Sequence, residues 1–278
     1  MGDYLERSKQ LTLSIIDWHN RFQQQASWTV SIREYLLNRV HDCSDFSVLE
    51  VGCGTGAVLE YYRNEIRYHT STKSAAVNSL NLFGIDINQN FLAFAKEHFE
   101  SAFYSLADGI SLPFKENTFD ITYTHFLFMW LREPVQALKE IVRVTKPGCL
   151  VFAFGEPDYG GRIDYPEELE PISEAQINSL YVQGADPFYG RKLSAHFIKA
   201  GLVEIEMGVL GGNWSSDDLI KDFKFEWQFI NSDLNLVRSD LDLDVFRIKE
   251  ENYRSKGERV LFVPTFYASG KKPKAIFR

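Results

Sequence analysis

A doubly wound α/β fold around a mostly parallel sheet is the fold class this sequence predicts. Three observations carry the prediction. From Ser47 onward, short apolar runs alternate with amphipathic ones, the rhythm of β and α units that builds a parallel sheet. The first of these runs ends in VLEVGCGTG, Val48 to Gly56, where closely spaced glycines mark a strand turning tightly into a helix. The 278 residues are 45% hydrophobic and 14% aromatic, enough to bury a sizeable core in one large domain or one elaborated domain.

The elements follow in order. The first 45 residues read as helices, with Trp18, Phe22, Trp28, Ile32, Tyr35, Leu36 and Val40 recurring near helical spacing. Strands are expected at Ser47–Val51, Leu80–Asp86, Phe103–Ala107, Ile121–His125 and Leu150–Phe154. Helices are expected between them, near Ala57–Ile66, Asn90–Phe99 and Pro134–Val144. The polar, Ser/Thr-rich stretch Arg67–Asn78 reads as an inserted surface loop. Gly160–Gly190 interrupts the rhythm again, with Pro166, Pro171 and Pro187 and a helix near Glu168–Val182. A helix at Arg191–Ala200, a strand at Val203–Val209, a helical region at Ser215–Ser255 and a last strand at Arg259–Ala268 complete the chain. The expected organisation is a single domain, 1–278. Residues 1–45 form an N-terminal helical lid, 46–155 the ligand-binding core, 156–190 an acceptor-side insertion and lid, and 191–278 the remaining helices and strands.

Composition narrows the function. The net charge of −8 does not call for a nucleic-acid partner, and none is expected, although an acidic total leaves room for a local basic patch. The longest apolar runs, Phe126–Leu131 and Cys149–Gly155, are too short to cross a bilayer. The opening MGDYLERSKQ lacks the basic start and apolar centre of a signal peptide. Cys43, Cys53 and Cys149 show no C-x-x-C spacing, which argues against a metal site and suits a reducing cytoplasm.

The glycine turn alone fits two ligands. With Ala57 it satisfies G-x-G-x-x-[GA], the dinucleotide pattern. That pattern wants an acid about 20 residues beyond the glycines, and Asp86 follows Gly56 by 30. Three further features shift the balance: Glu50 inside the strand before the turn, Asp108 in SLADG after the third strand, and the closing run RVLFVPTFYASGKKP. Together with LPF at Leu112–Phe114, TFD at Thr118–Asp120 and RVTKPGCLV at Arg143–Val151, these residues resemble the class I S-adenosylmethionine-dependent methyltransferases. The resemblance covers about Ser47–Phe154 well and the last strands more weakly. It implies a Rossmann-like, seven-stranded sheet, S-adenosylmethionine as cofactor and S-adenosylhomocysteine as product.

The resemblance also assigns roles. Gly52, Cys53, Gly54 and Gly56 would let backbone approach the methionine part, and Glu50 would serve the ammonium through the turn or a water. Asp86, with Ile87 beside it, would accept the ribose hydroxyls. Asp108 and Gly109 would serve the adenine, and Trp28, Thr124 and His125 would complete the cofactor site. Charge-assisted bonds of this kind contribute about 1.5–3 kcal/mol each. Three acids at strand ends suit a cationic, phosphate-free cofactor better than a dinucleotide.

Methyl transfer from a sulfonium is an in-line displacement, so the protein mainly aligns the reactants. A base is needed only where the acceptor loses a proton, and His125, Asp158 and Tyr159 are the candidates. His125 has a second reading, as a packed histidine. FGEPDYGGR, Phe154–Arg162, is read as pocket material, with a structural turn as its alternative. The acidic balance and aromatic lid segments favour a small acceptor. An RNA or protein methyltransferase and a non-catalytic, cofactor-binding regulatory subunit stay open as alternatives.

Overall fold

Seven strands form one sheet in the order β3-β2-β1-β4-β5-β9-β7. The computed structural model describes residues 13–37, 45–61, 63, 79–211, 223–237 and 240–274. The expected loop Arg67–Asn78 lies outside them. Strands β1 (Asp45–Val51), β2 (Ser79–Asp86), β3 (Ala102–Leu106), β4 (Phe119–Thr124) and β5 (Thr145–Pro157) pair in parallel. β7 (Val203–Leu210) pairs antiparallel with β9 (Thr265–Lys271). The mostly parallel, seven-stranded, Rossmann-like sheet is therefore present.

The chain reverses its winding between β1 and β4, and such a switch point opens a crevice at the strands' carboxyl ends. The register aligns those ends: Val51 faces Ile85 of β2 on one side and Thr124 of β4 on the other. Val48, Leu49, Val51, Ile121, Tyr123, Val151 and Phe152 are buried, which is why β1, β4 and β5 read as near-continuous apolar runs.

Helices fill the crossovers. Helix α1 spans Ile15–Trp28 and α2 Val30–Leu37. A third helix, α3, begins at residue 57. Helix α4 (Gln89–His98) is capped by Asn88, whose side chain accepts the N–H groups of Asn90 and Phe91, a device worth about 1 kcal/mol. Helix α5 (Pro134–Val144) opens on proline and buries Ala137, Leu138, Ile141 and Val144, the single face its spacing predicts. Ala26, Ile32 and Leu36 join Val48, Ile121, Tyr123, Phe152 and Phe154 in one core cluster, so α1 and α2 belong to the sheet's own core.

The chain divides into two compact units. Among the described residues, the sheet unit is drawn from Ile15–Glu156, Tyr189–Leu210 and Thr265–Arg278, and the other from Pro157–Phe188 and Gly211–Pro264. This second, helical unit contains α6 (Glu170–Val182), α8 (Phe223–Leu234) and α9 (Leu243–Ser255), while α7 (Leu193–Lys199) stays with the sheet. Ile172, Ala175, Phe223, Trp227, Ile230 and Leu234 form its core. A buried ion network joins Arg254 to Glu250 and Glu226, and Arg259 to Glu250 and Asp164; buried charges are tolerated when paired in this way. No helix among the described residues is long and apolar enough to cross a membrane.

Two strands depart from expectation: β6 (Ile163–Tyr165) arises within the expected insertion, and the last strand is divided. The single last strand, Arg259–Ala268, is instead two. Val260–Phe262 (β8) pairs antiparallel with Ile163–Tyr165 (β6) in a two-stranded sheet, whereas β9 starts at Thr265 in the large one. Pro264 lies between them. It has no N–H to continue a ladder, and its carbonyl accepts the Asp158 N–H instead.

Candidate functional site

The glycine turn hangs from the end of β2. The N–H groups of Gly52 and Cys53 both donate to the Ile85 carbonyl, at 2.8 and 2.9 Å. Gly52, Gly54 and Gly56 have φ of 79°, 51° and 78°, a region that L side chains avoid. Space is also restricted. A Cβ on Gly52 would stand 2.7 Å from Leu127 Cδ1, and one on Gly54 2.8 Å from Phe22 Cε2. His19 Nδ1 lies 2.9 Å from Thr55 Oγ1, so α1 sits directly against the turn. Cys53 is buried, and burial pushes its thiol well above the ordinary 9.0. It is a small turn residue in a reduced, inert state.

Asp86 locks the turn to the next helix. Its Oδ2 accepts the Gly54 N–H and its Oδ1 the Asn88 N–H, each at 2.8 Å. Burial raises its pKa, and the N–H groups of Asn88, Gly54 and Ile87 oppose that rise. A carboxylate offers about four lone-pair sites, so both oxygens keep capacity for a ligand hydroxyl. Ile87, beside it, is 73% exposed, an apolar surface at a strand end.

Asp108 lies two residues past β3 and is exposed. Its Oδ1 accepts the Ile110 N–H at 3.1 Å. A Cβ on Gly109 would meet Val51 Cγ1 at 3.4 Å, so this glycine lies over the end of β1 without a severe steric demand.

Beneath the turn lies a buried polar chain. Glu50 accepts the Tyr123 hydroxyl at 3.0 Å and is buried. Burial raises its pKa to about 8, against the opposing effects of Tyr123 and Arg33. Arg33, fully buried, donates to the Ala26 carbonyl at 2.7 Å and to the Thr29 hydroxyl. Thr29 Oγ1 in turn lies 3.1 Å from His125 Nε2. Burial, and then Arg33, lowers the His125 pKa well below 6.5, so the imidazole is neutral at physiological pH. Thr124, the last residue of β4, buries a hydroxyl that has no hydrogen-bond partner among the described residues.

The wall beside Gly52 comes from the loop after β4. Phe126 has φ of 51°, and its N–H donates to the Gly155 carbonyl. The next three N–H groups converge on one side chain. Leu127 and Phe128 donate to Glu156 Oε1 at 3.0 and 2.9 Å, and Met129 donates to Oε2 at 3.1 Å. Trp28, 45% exposed, sets its ring edge-on to Phe126 with centroids 6.3 Å apart.

The sheet unit thus gathers Trp28, Glu50, the glycine turn, Asp86, Ile87, Asp108, Gly109, Thr124 and His125. Asp158 and Tyr159 belong to the helical unit. There Asp158 is buried and caps a short turn through the Gly160 N–H at 3.0 Å, and the Tyr159 N–H donates to the Pro187 carbonyl. Of the two readings of Phe154–Arg162, pocket material or structural turn, the contacts of Glu156 and Arg162 are structural ones. Glu156 is consumed by three backbone N–H groups, and Arg162 pairs with Asp164. Sequence reasoning missed the Glu50–Tyr123 bond and the structural role of Glu156. The available signals were a Tyr one residue from the end of the strand FDITYT and an acid following the apolar run LVFAFG.

Residues 49–153 match the family model described as a methyltransferase domain. An uncharacterized methyltransferase of Schizosaccharomyces pombe is 31% identical over 186 residues, covering 62% of each chain. A malonyl-[acyl-carrier protein] O-methyltransferase of Buchnera aphidicola is 30% identical over 147 residues, 53% of this chain and 54% of that one. The chain thus spans less than two thirds of the length of these curated relatives. Among solved structures, phosphoethanolamine N-methyltransferase 2 of Haemonchus contortus, in complex with phosphomonomethylethanolamine and S-adenosylhomocysteine, superposes with a TM-score of 0.57 at 16% identity. The match covers 88% of this chain and 53% of that one, a likeness of fold.

Proposed function

With residues 49–153 matching the methyltransferase-domain model, we propose that this chain transfers a methyl group from S-adenosylmethionine to a small-molecule acceptor. The observation that carries the proposal is the Asp86 carboxylate, bound to the Gly54 N–H at 2.8 Å, which fixes a glycine cradle and a ribose acceptor in one piece. The residues fit the cofactor. Side chains are excluded at Gly52 and Gly54 by close contacts, Ile87 offers an apolar face, and Thr124 holds a buried hydroxyl with no partner among the described residues.

When bound, S-adenosylmethionine supplies a methyl group activated by its sulfonium. The chain supplies the rest. Asp86 accepts the ribose hydroxyls with its remaining lone pairs. Ile87 and the Asp108–Gly109 turn hold the adenine, and Glu50 offers its buried carboxyl to the ammonium through the turn or a water. Thr124 and His125 close the end of β4. The neutral, weakly basic His125 suits alignment and removal of a proton from an already acidic acceptor better than removal from a weak acid. The names of the relatives support a small or carrier-borne acceptor. Acceptor choice is assigned to the segments left over once the cofactor motifs are counted, residues 18–33 and 156–190, both rich in aromatics. Asp158 and Tyr159 are the proton-handling candidates from the second segment.

The test is transfer of labelled methyl groups from S-adenosylmethionine into fractionated metabolite pools. A labelled small product supports the proposal. Label confined to RNA or protein, or no label despite cofactor binding, favours the macromolecular or regulatory alternative.

A further inference from the structure

We propose that Glu156 is a positioning residue for the cofactor, holding the loop after β4 so that Leu127 buttresses the glycine turn; the inference rests on the cofactor reading above. Glu156 lies in the buried stretch of β5, one residue before the strand's end, and is itself fully buried. Its two oxygens receive three successive N–H groups, those of Leu127, Phe128 and Met129, at 2.9–3.1 Å. Backbone donors this far from water need acceptors, and one carboxylate serves all three.

The loop it holds is not relaxed. Phe126 enters it in the left-handed region, at φ 51°, an uncommon conformation for a bulky side chain. Its ring lies where only glycine fits opposite: a Cβ on Gly155 would be 2.8 Å from Phe126 Cε2. Strained backbone of this kind persists where its surroundings over-determine it, and Glu156 is the fastening.

The consequence reaches the cofactor site through Leu127. Its backbone is bonded to Glu156 and its side chain stands against Gly52. A path of direct contacts therefore runs from the Glu156 carboxylate, through one residue, to the first glycine of the turn. Acceptor capacity matters at Glu156, because a glutamine of equal length would turn a donor NH₂ towards N–H groups. Burial raises the Glu156 pKa to about 7 and the three N–H groups oppose the rise, in keeping with a carboxylate held by the backbone alone.

The experiment is a double-mutant cycle read by S-adenosylhomocysteine titration calorimetry, with circular dichroism to verify folding. Wild type binds. Glu156→Gln is expected to remain folded and to bind at least tenfold more weakly. Leu127→Ala is expected to weaken binding too. The double variant should bind no more weakly than about threefold below the worse single one, because both changes act on the same contact. Glu156→Gln binding within twofold of wild type, or losses that simply multiply, overturns the proposal. Should Glu156→Gln not fold, Leu127→Ala decides: unchanged affinity overturns the path, and a tenfold loss supports it. A wild-type chain that does not bind S-adenosylhomocysteine overturns the cofactor reading, and this inference with it.

Discussion

The Asp86 carboxylate bridges two backbone N–H groups, those of Gly54 and Asn88, each at 2.8 Å. One acid thereby closes the glycine turn and starts α4. A residue read from the sequence as a ligand for ribose is first a structural fastener, and the two roles predict different variants.

Asp86→Ala is expected to weaken S-adenosylhomocysteine binding by about 1.5–3 kcal/mol, roughly tenfold to a hundredfold. It should also lower the melting temperature, because two turn N–H groups lose their acceptor. Asp108→Ala is expected to weaken binding similarly but to leave melting nearly unchanged, since Asp108 is exposed. Calorimetry and thermal scans on both variants check this. Equal affinities in both and wild type would show that the cofactor is misplaced.

Gly54→Ala is expected to destabilise the protein and abolish measurable cofactor binding. The left-handed φ of 51° costs an L residue roughly 1–2 kcal/mol, and the new Cβ meets the Phe22 ring at 2.8 Å. Phe22→Ala in the Gly54→Ala background should recover only the steric part. Denaturant titration of the two variants measures it, and full recovery would mean that the backbone carries no strain.

Much of this was legible in the sequence because it is local. The run VLEV, the glycine spacing and the helix face of PVQALKEIVRV each depend on a few neighbouring residues, and β1 to β4 begin and end within two residues of the expected places. Glu156 was not legible. Its acceptor role exists only once Phe126 has turned left-handed and three N–H groups point back across the sheet. Nor was the pairing of residues 157–188 with 211–264 in one unit, since segments separated in sequence share the buried ions Asp164, Glu250 and Arg259. Pro264 was visible, but that it separates two sheets was a question of topology rather than of local pattern.

Stability should depend on pH through Glu50. Burial raises its folded pKa to about 8, above the ordinary 4.5. Between those values the folded state holds a proton that the unfolded state has lost. The contribution to stability is therefore full below about pH 4.5 and is lost as pH rises through about 8. Glu156, raised to about 7, acts in the same direction over a narrower window. Melting temperatures of Glu50→Gln measured from pH 5 to 8.5 should fall less steeply with pH than those of wild type. An identical slope in the two proteins contradicts the assignment.

Hydrogen exchange tests the acceptor assignment. Addition of S-adenosylhomocysteine should increase protection in residues 18–33 and 156–190, and less in 217–255. The contacts of His19 and Phe22 with the glycine turn support the first segment, and the aromatic content of the sequence supports the second. Identical exchange with and without ligand would remove both segments from the account.

The glycine turn, Asp86 and Asp108 are assigned to S-adenosylmethionine rather than to a dinucleotide. Titration calorimetry of the wild-type chain with S-adenosylhomocysteine and, separately, with NAD tests it most directly. Saturable one-site binding of S-adenosylhomocysteine and no binding of NAD are expected. Saturable binding of NAD, with no response to S-adenosylhomocysteine, would contradict it.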